Sequence, residues 1–338
     1  MIKRLASCVR QYKRDSILAP VYVTMEVVME VVIPLLMAKL IDKGIDGKNM
    51  NYIVLVGAAL LIAAFVSLFF GALAGFSAAK ASSGFAKNMR HDMYYNVQNF
   101  SFSNIDKFST GSIITRLTTD VTNVQMAYQM IIRMAFRAPL MMVFSLIASF
   151  SIDAKLSLIF IAFVPLLGVE LFWIAVHVHP TFERVFRTYD RLNNVVEENL
   201  HGMRVVKSFI REAYENKKFN SISEDIYKGF TKAEKTTAYN MPTMQFCTYA
   251  CMLLISWFGA RAVVASGGNA QTGLSTGELM SLLTYMMQIL GSLMGLSMVF
   301  VMIIISKTSA ERIVELMDEQ SDLKNCDSPV YNVSNGDI

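Results

Sequence analysis

The sequence predicts an all-α, polytopic membrane protein with six long transmembrane helices, and three observations predict it. Hydrophobic residues make up 54% of the 338 and charged residues only 17%, a balance foreign to soluble domains. The apolar residues come in blocks: Ile53–Ala79, Thr236–Ala260 and Leu279–Ser306 contain no charge, and each exceeds the ~20 helical residues that cross a ~30 Å hydrocarbon core. These blocks also lack the period-two alternation of barrel strands, which leaves helices as the structure that satisfies every backbone group in lipid.

Three further segments, Ser16–Leu40, Met134–Ile152 and Leu156–Val178, are apolar but interrupted by acids or bases. The predicted spans are therefore about 16–41, 53–79, 132–152, 155–178, 236–262 and 278–306. Residues 1–15 read as an amphipathic elbow helix, with Ile2, Leu5, Val9 and Tyr12 as an apolar stripe. Lys3, Arg4, Arg10, Lys13 and Arg14 are then free to face lipid headgroups. Leu5-Ala-Ser-Cys8 has the letters of a lipoprotein cleavage box, but no apolar stretch precedes it. Loops on the N-terminal side carry 24 Lys or Arg against four on the other. By the positive-inside rule both termini are expected in the cytoplasm, in a cell-membrane protein.

Two inner segments, about 80–131 and 179–235, are long, polar and poor in Gly and Pro. They read as helical stalks, and a 20-residue helix reaches ~30 Å beyond a bilayer. Each stalk has a compact turn. The first runs Phe102-Ser-Asn-Ile105-Asp-Lys-Phe108-Ser-Thr-Gly111 and on through Arg116 to Asp120. The second runs Glu198-Asn-Leu-His-Gly202-Met-Arg-Val-Val206-Lys-Ser-Phe209-Ile-Arg-Glu212. Phe102, Ile105 and Phe108, spaced i, i+3, i+6, are expected to form an apolar tip with no core of its own, which suits a partner's groove. Phe209 with Val205 or Val206 offers the same at the second turn. The alternative is that these aromatics pin each turn to its own stalk. Arg116 and Asp120 are assigned a positioning role, alongside an ordinary solvated helix surface.

These two turns resemble the intracellular loops of the ABC exporter transmembrane domain. The resemblance continues in Gly273-Leu-Ser-Thr-Gly277-Glu278 and Ser309-Ala-Glu311-Arg312. Arg133-x-x-x-Arg137-Ala-Pro139 is similar to the bacterial multidrug subgroup that often forms heterodimers. The resemblance implies that Phe102, Ile105, Phe108, Gly111, Arg116, Asp120, Gly202, Val206, Phe209 and Glu212 couple the permease to ATPase domains. It implies a second transmembrane subunit, as homo- or heterodimer, to which spans four and five cross, and lipid as a further partner; nucleic acid is not implied. It also implies ATP and Mg for a nucleotide-binding domain. The chain itself has no G-x-x-x-x-G-K-[ST], so ATP hydrolysis is not expected of it alone. Residues 318–338 read as a linker, with Gly336-Asp337-Ile338 standing where the first ATPase strand would open.

Ionisable residues inside spans are expensive and therefore informative. Glu26 and Glu30 lie one turn apart in span one, Arg133 and Arg137 begin span three, and Glu170 sits in span four. The two acids of span one either face a substrate cavity, where they would attract amphiphilic cations, or pair internally with arginine. Arg137 and Glu170 are equidistant from the short turn between spans three and four. They are expected to form a structural intramembrane pair, with Glu26 or Glu30 as the alternative partner of Arg137. Met286, Met294 and Met298 of span six are further cavity candidates, because methionine accommodates many shapes; ordinary helix packing is the alternative.

No metal site is expected. Cys247 and Cys251, at i,i+4, read as small interface residues rather than ligands, and His177 and His179 point apart on a helix. Cys8 and Cys326 suggest no disulfide. The expected function is the permease half of an ATP-driven exporter of hydrophobic or amphipathic solutes such as drug-like compounds, lipids or peptides. Rival readings are an ion-coupled secondary carrier using the intramembrane glutamates, and a non-transporting membrane sensor or scaffold.

Overall fold

The computed structural model describes residues 1–267 and 273–321. Among these residues there is no strand, and six helices are long and apolar enough to cross a membrane. The protein is all-α and polytopic. Tail residues from 322 onward, including Cys326, and the His179 side chain lie outside the described residues.

Chain order is α1 (Ile2–Ser7), a 3-10 turn (Arg10–Tyr12), α2 (Lys13–Lys39), α3 (Met50–Gln98), α4 (Phe102–Phe108), α5 (Thr110–Thr115), α6 (Val121–Ile152), α7 (Ala154–His201), α8 (Met203–Ser208), α9 (Glu212–Thr237), α10 (Asn240–Ser266) and α11 (Thr276–Asp318). Asn49 starts α3 by accepting a hydrogen bond from the Tyr52 amide at 3.1 Å, and Asp153 starts α7 by accepting from Lys155 and Leu156. Gly267 ends α10 in the left-handed conformation that favours glycine. At 49 residues α3 is about 73 Å long, over twice a hydrocarbon core. A span and its stalk are therefore one continuous helix.

The chain forms two compact units, Met1–Ala148 with Met294–Ile338, and Ser149–Leu293. In the first, small residues let helices approach closely: Ala19 of α2, Ala78 and Ala81 of α3 and Ile132 of α6 form one buried cluster. Leu61, Phe65, Leu68, Phe69 and Phe76 of α3 are exposed, the pattern of a lipid-facing surface. The second unit packs α7 on α9 through Val185, Val195, Ile222 and Ile226, with the Phe230 ring edge-on to Phe182 and Tyr189. Cys247 and Cys251 are both buried on α10.

The N-terminal elbow is tied down by apolar packing and by ion pairs. Leu5 and Val9 pack against the cluster of Phe85, Met89 and Met93, but Ile2 is exposed. Arg4 and Arg10 pair with Asp318 and Asp92, at 3.1 and 2.8 Å, with the arginine side chains still about half exposed. Each finds a carboxylate on the helix beside it. Burial, and then the neighbouring Asp92 carboxylate, push the Cys8 thiol up, which makes it an inert packing group.

Tyr12 seats on Gly84, where an added Cβ would lie 2.3 Å from the ring. Gly84→Ala is therefore expected to lift the elbow off α3, at about 1–3 kcal/mol of overpacking. A fall in thermal stability, partly restored by adding Tyr12→Ala, is the expected reading; an unshifted melting temperature would show that the elbow is not seated there.

Candidate functional site

The first stalk turn begins at Ser101, which caps α4 in a reciprocal exchange with Asn104. Seven residues of α4 do not make one apolar face. At 100° per residue Phe102 and Phe108 differ by about 120° around the axis, and the structure separates them accordingly. Phe102 is 86% exposed, Ile105 38% and Phe108 only 4%. Phe108 is thus not part of a docking tip. It stacks on Phe100 with ring centroids 5.9 Å apart, and the Arg116 guanidinium lies 4.7 Å above its ring.

Around this ring a polar clamp fastens the turn to the end of α11. Arg116 donates to the Arg312 carbonyl at 2.7 Å and pairs with Glu315 at 2.8 Å. Asp120, fully buried, accepts from Ser309 Oγ and Arg312 Nη2, each at 2.8 Å. Asn104 donates to Glu319 Oε1 and the Gln320 carbonyl, Lys107 pairs with Glu319 at 2.8 Å, and Asn96 donates to the Leu316 and Glu319 carbonyls. Of these, the Asn96 donor satisfies at Leu316 one of the carbonyls that the end of α11 leaves orphaned. Gly111 has open space beside it.

The second turn is built differently. Gly202 separates α7 from α8, and a Cβ there would meet the Glu198 carbonyl at 3.1 Å. Val205, Phe209 and Ile210 are 60%, 74% and 83% exposed, and Val206 is half-buried. Ile210 also has φ +49°, a conformation that β-branched residues rarely adopt. Glu212 pairs with Lys207 at 3.0 Å; its own backbone amide, and then Lys207, hold its carboxyl below the ordinary range.

In the membrane-spanning part, Arg137 of α6 does not pair with Glu170. Its Nη1 binds Glu26 Oε1, and its Nη2 binds both oxygens of Glu30, at 2.7 and 2.9 Å. Equal depth does not fix the direction in which two side chains face, and a forked donor within reach of two carboxylates is better satisfied than by one. Gly71 makes room for this arrangement, since a Cβ there would lie 3.1 Å from Glu26. Both carboxyl oxygens of Glu170 are buried without a hydrogen-bond partner among the described residues. Met286 is fully buried, which suits packing rather than solute contact, whereas Met294 and Met298 are exposed.

The family model of the ABC transporter transmembrane region matches residues 16–293 of this chain of six apolar spans. The chain belongs to this family. An uncharacterised ABC transporter ATP-binding protein of Bacillus subtilis, YfiB, is 28% identical over 321 residues, 95% of this chain and 55% of the relative. Another from Mycobacterium tuberculosis is 26% identical over 331 residues, 98% of this chain and 56% of the relative. An ATP-dependent lipid A-core flippase of Aromatoleum aromaticum is 28% identical over 214 residues, 63% of this chain and 35% of the relative. The chain thus spans about half the length of the first two relatives.

Within this ABC transmembrane region, Arg116 and Asp120 lie in the first clamp, each with its own partner on α11 rather than with one another. Asn96, Asn104, Ser309, Arg312 and Glu319 had no assigned role from the sequence. Only the Ser101-x-x-Asn104 spacing could have pointed to one of them, as a capping box; the rest reach across more than 180 residues.

Proposed function

We propose that the chain is the permease half of an ATP-driven exporter, moving hydrophobic or amphipathic solutes out of the cytoplasm by alternating access. Both termini are cytoplasmic in this reading. ATP and Mg belong to nucleotide-binding domains beyond this chain, and a second transmembrane subunit completes the pathway. The observation that carries the reading is the second turn. Val205, Phe209 and Ile210 are exposed apolar side chains at the turn between α8 and the polar helix α9. Such a turn suits a groove on a rigid partner, and seating there would also hold Ile210 in its strained conformation. Lipids among the candidate solutes are supported by the flippase relative.

The test uses a transporter carrying its ATPase domains. Phe209→Ala removes an aromatic anchor worth about 2 kcal/mol or more at an interface. Expression and basal ATP hydrolysis should persist while ATP-driven transport falls sharply. Undiminished transport would remove the second turn as the point of coupling.

A further inference from the structure

One turn of the first stalk departs from α-helical geometry. Between α5 and α6, residues Arg116–Asp120 form a π turn, which holds one residue more than an α-turn. The Val121 amide bonds the Thr118 carbonyl there. The Leu117 carbonyl, its partner in a regular α-helix, accepts instead from Arg90 Nε of α3 at 3.2 Å. Arg116 and Asp120 stand at the two ends of the turn, both buried, and they bond to α11 rather than to each other.

Three details fit a second position for the extra residue. Arg116 Nε and Asp120 Oδ2 are both buried without a hydrogen-bond partner among the described residues. An orphan oxygen alone marks nothing, but here an equally orphaned donor sits four residues away, the spacing at which an α-helix makes side chains neighbours. Next, Gly111 has open space beside it, and the Thr115 hydroxyl already donates to its carbonyl at 3.0 Å. Thr118 and Thr122 donate likewise to the Ile114 and Thr118 carbonyls around the π turn, a back-bonding that bends helices. Finally, the sequence between the two places is doubled. Ile113 is 8% exposed and Ile114 56%, so a shift of one residue replaces one isoleucine in the core by another.

We propose that the π turn is a register switch, in which the extra residue moves from Arg116–Asp120 to the turn that starts at Gly111. Residues between the two places then rotate by about 100°. Ile114 takes the buried place of Ile113, and Arg116 leaves Glu315 and the Arg312 carbonyl for Asp120. Its Nε donates to Asp120 Oδ2, and the Val121 amide recovers the Leu117 carbonyl. Before the shifted stretch α4 keeps its place, as does α6 after it, and Asp120 keeps Ser309 and Arg312. What α11 gives up is small. The Glu315 side chain is 51% exposed and turns to water, and the Arg312 carbonyl lies inside α11, where the helix supplies an amide partner. The switch changes the face that residues 113–116 present and unfastens Arg116 from α11, with the rest of the clamp intact. It goes beyond the exporter reading and holds whatever the solute.

The experiment is thiol labelling of Ile113→Cys by N-ethylmaleimide, located by peptide mass, in the transporter with its ATPase domains in lipid nanodiscs. Cys251, buried on α10, is the internal measure of global opening. Register shifts run in microseconds to milliseconds, so the labelling rate reads the shifted population. Glu315→Gln, which weakens only the clamped register, should speed labelling about threefold. Asp120→Asn removes the charge that receives Arg116 and should slow labelling about fivefold, although it weakens the protein as a whole. A static turn that exposes position 113 by local unfolding predicts the opposite sign, since a weaker clamp opens more often. Faster or unchanged labelling in Asp120→Asn overturns the proposal, as does a gain in Glu315→Gln that is absent or matched at Cys251. Should Ile113→Cys fail to fold, amide hydrogen exchange of residues 112–117 in the otherwise native chain must give the same order of variants.

Discussion

Phe108→Ala is expected to destabilise the protein by about 3–5 kcal/mol, the usual range for a large aromatic removed from a core. The ring is buried among Met89, Met93, Ile113 and Leu316, and the truncation would also remove its stacking on Phe100 and its contact with Arg116. That guanidinium contact adds about 0.5–2 kcal/mol depending on its desolvation. Phe209→Ala, at a position 74% exposed, should stay within about 0.5 kcal/mol of wild type, as surface substitutions do. Thermal unfolding of both variants in the same detergent distinguishes them. Equal losses would mean that Phe209 is held in a core of its own and that the two turns are built alike. Transport data on Phe108→Ala alone cannot report coupling, because a protein weakened this far loses activity for reasons of folding.

The difference between the two turns marks where sequence reasoning reaches its limit. The six spans were legible because lipid leaves the backbone one economical solution, and long charge-free runs announce it. The continuity of α3 from span to stalk was legible in outline from the lack of Gly and Pro. What was not legible is which way a short helix faces. Phe102, Ile105 and Phe108 satisfy an i, i+3, i+6 pattern, yet each three-residue step falls about 60° short of a full turn, so the first and last end about 120° apart. The same holds for Arg137. Counting from the turn after α6 gave its depth, but depth is a one-dimensional quantity and pairing depends on azimuth. The alternative partners on α2 were visible as two acids one turn apart, and the choice among acids needed the notch at Gly71 that the folded helices create.

The clamp between the first turn and α11 yields the other large effect. Asp120 is 1% exposed, and its Oδ1 accepts from both Ser309 and Arg312. The Arg312 side chain, by contrast, is 47% exposed. Removing either side should therefore have unequal consequences. Arg312→Ala strands a buried carboxylate with one hydroxyl for company, and breaking a buried pair from that side costs about 3–5 kcal/mol. Asp120→Asn leaves an arginine that can turn to water and an amide oxygen that Ser309 can still reach, so about 1 kcal/mol is expected, near that of one hydrogen bond. The double variant should be more stable than Arg312→Ala alone, since the uncompensated charge is gone, and the cycle of four proteins isolates that coupling. If Arg312→Ala costs less than Asp120→Asn, Asp120 does not depend on Arg312, and the α11 end is held by Arg116 and Asn96 instead. The asymmetry bears on how the first turn and α11 can move. A helix end fastened through a buried charge cannot slide past the first turn by degrees, because any partial separation exposes the carboxylate to an apolar core. The first turn and the end of α11 are thus expected to move as one body.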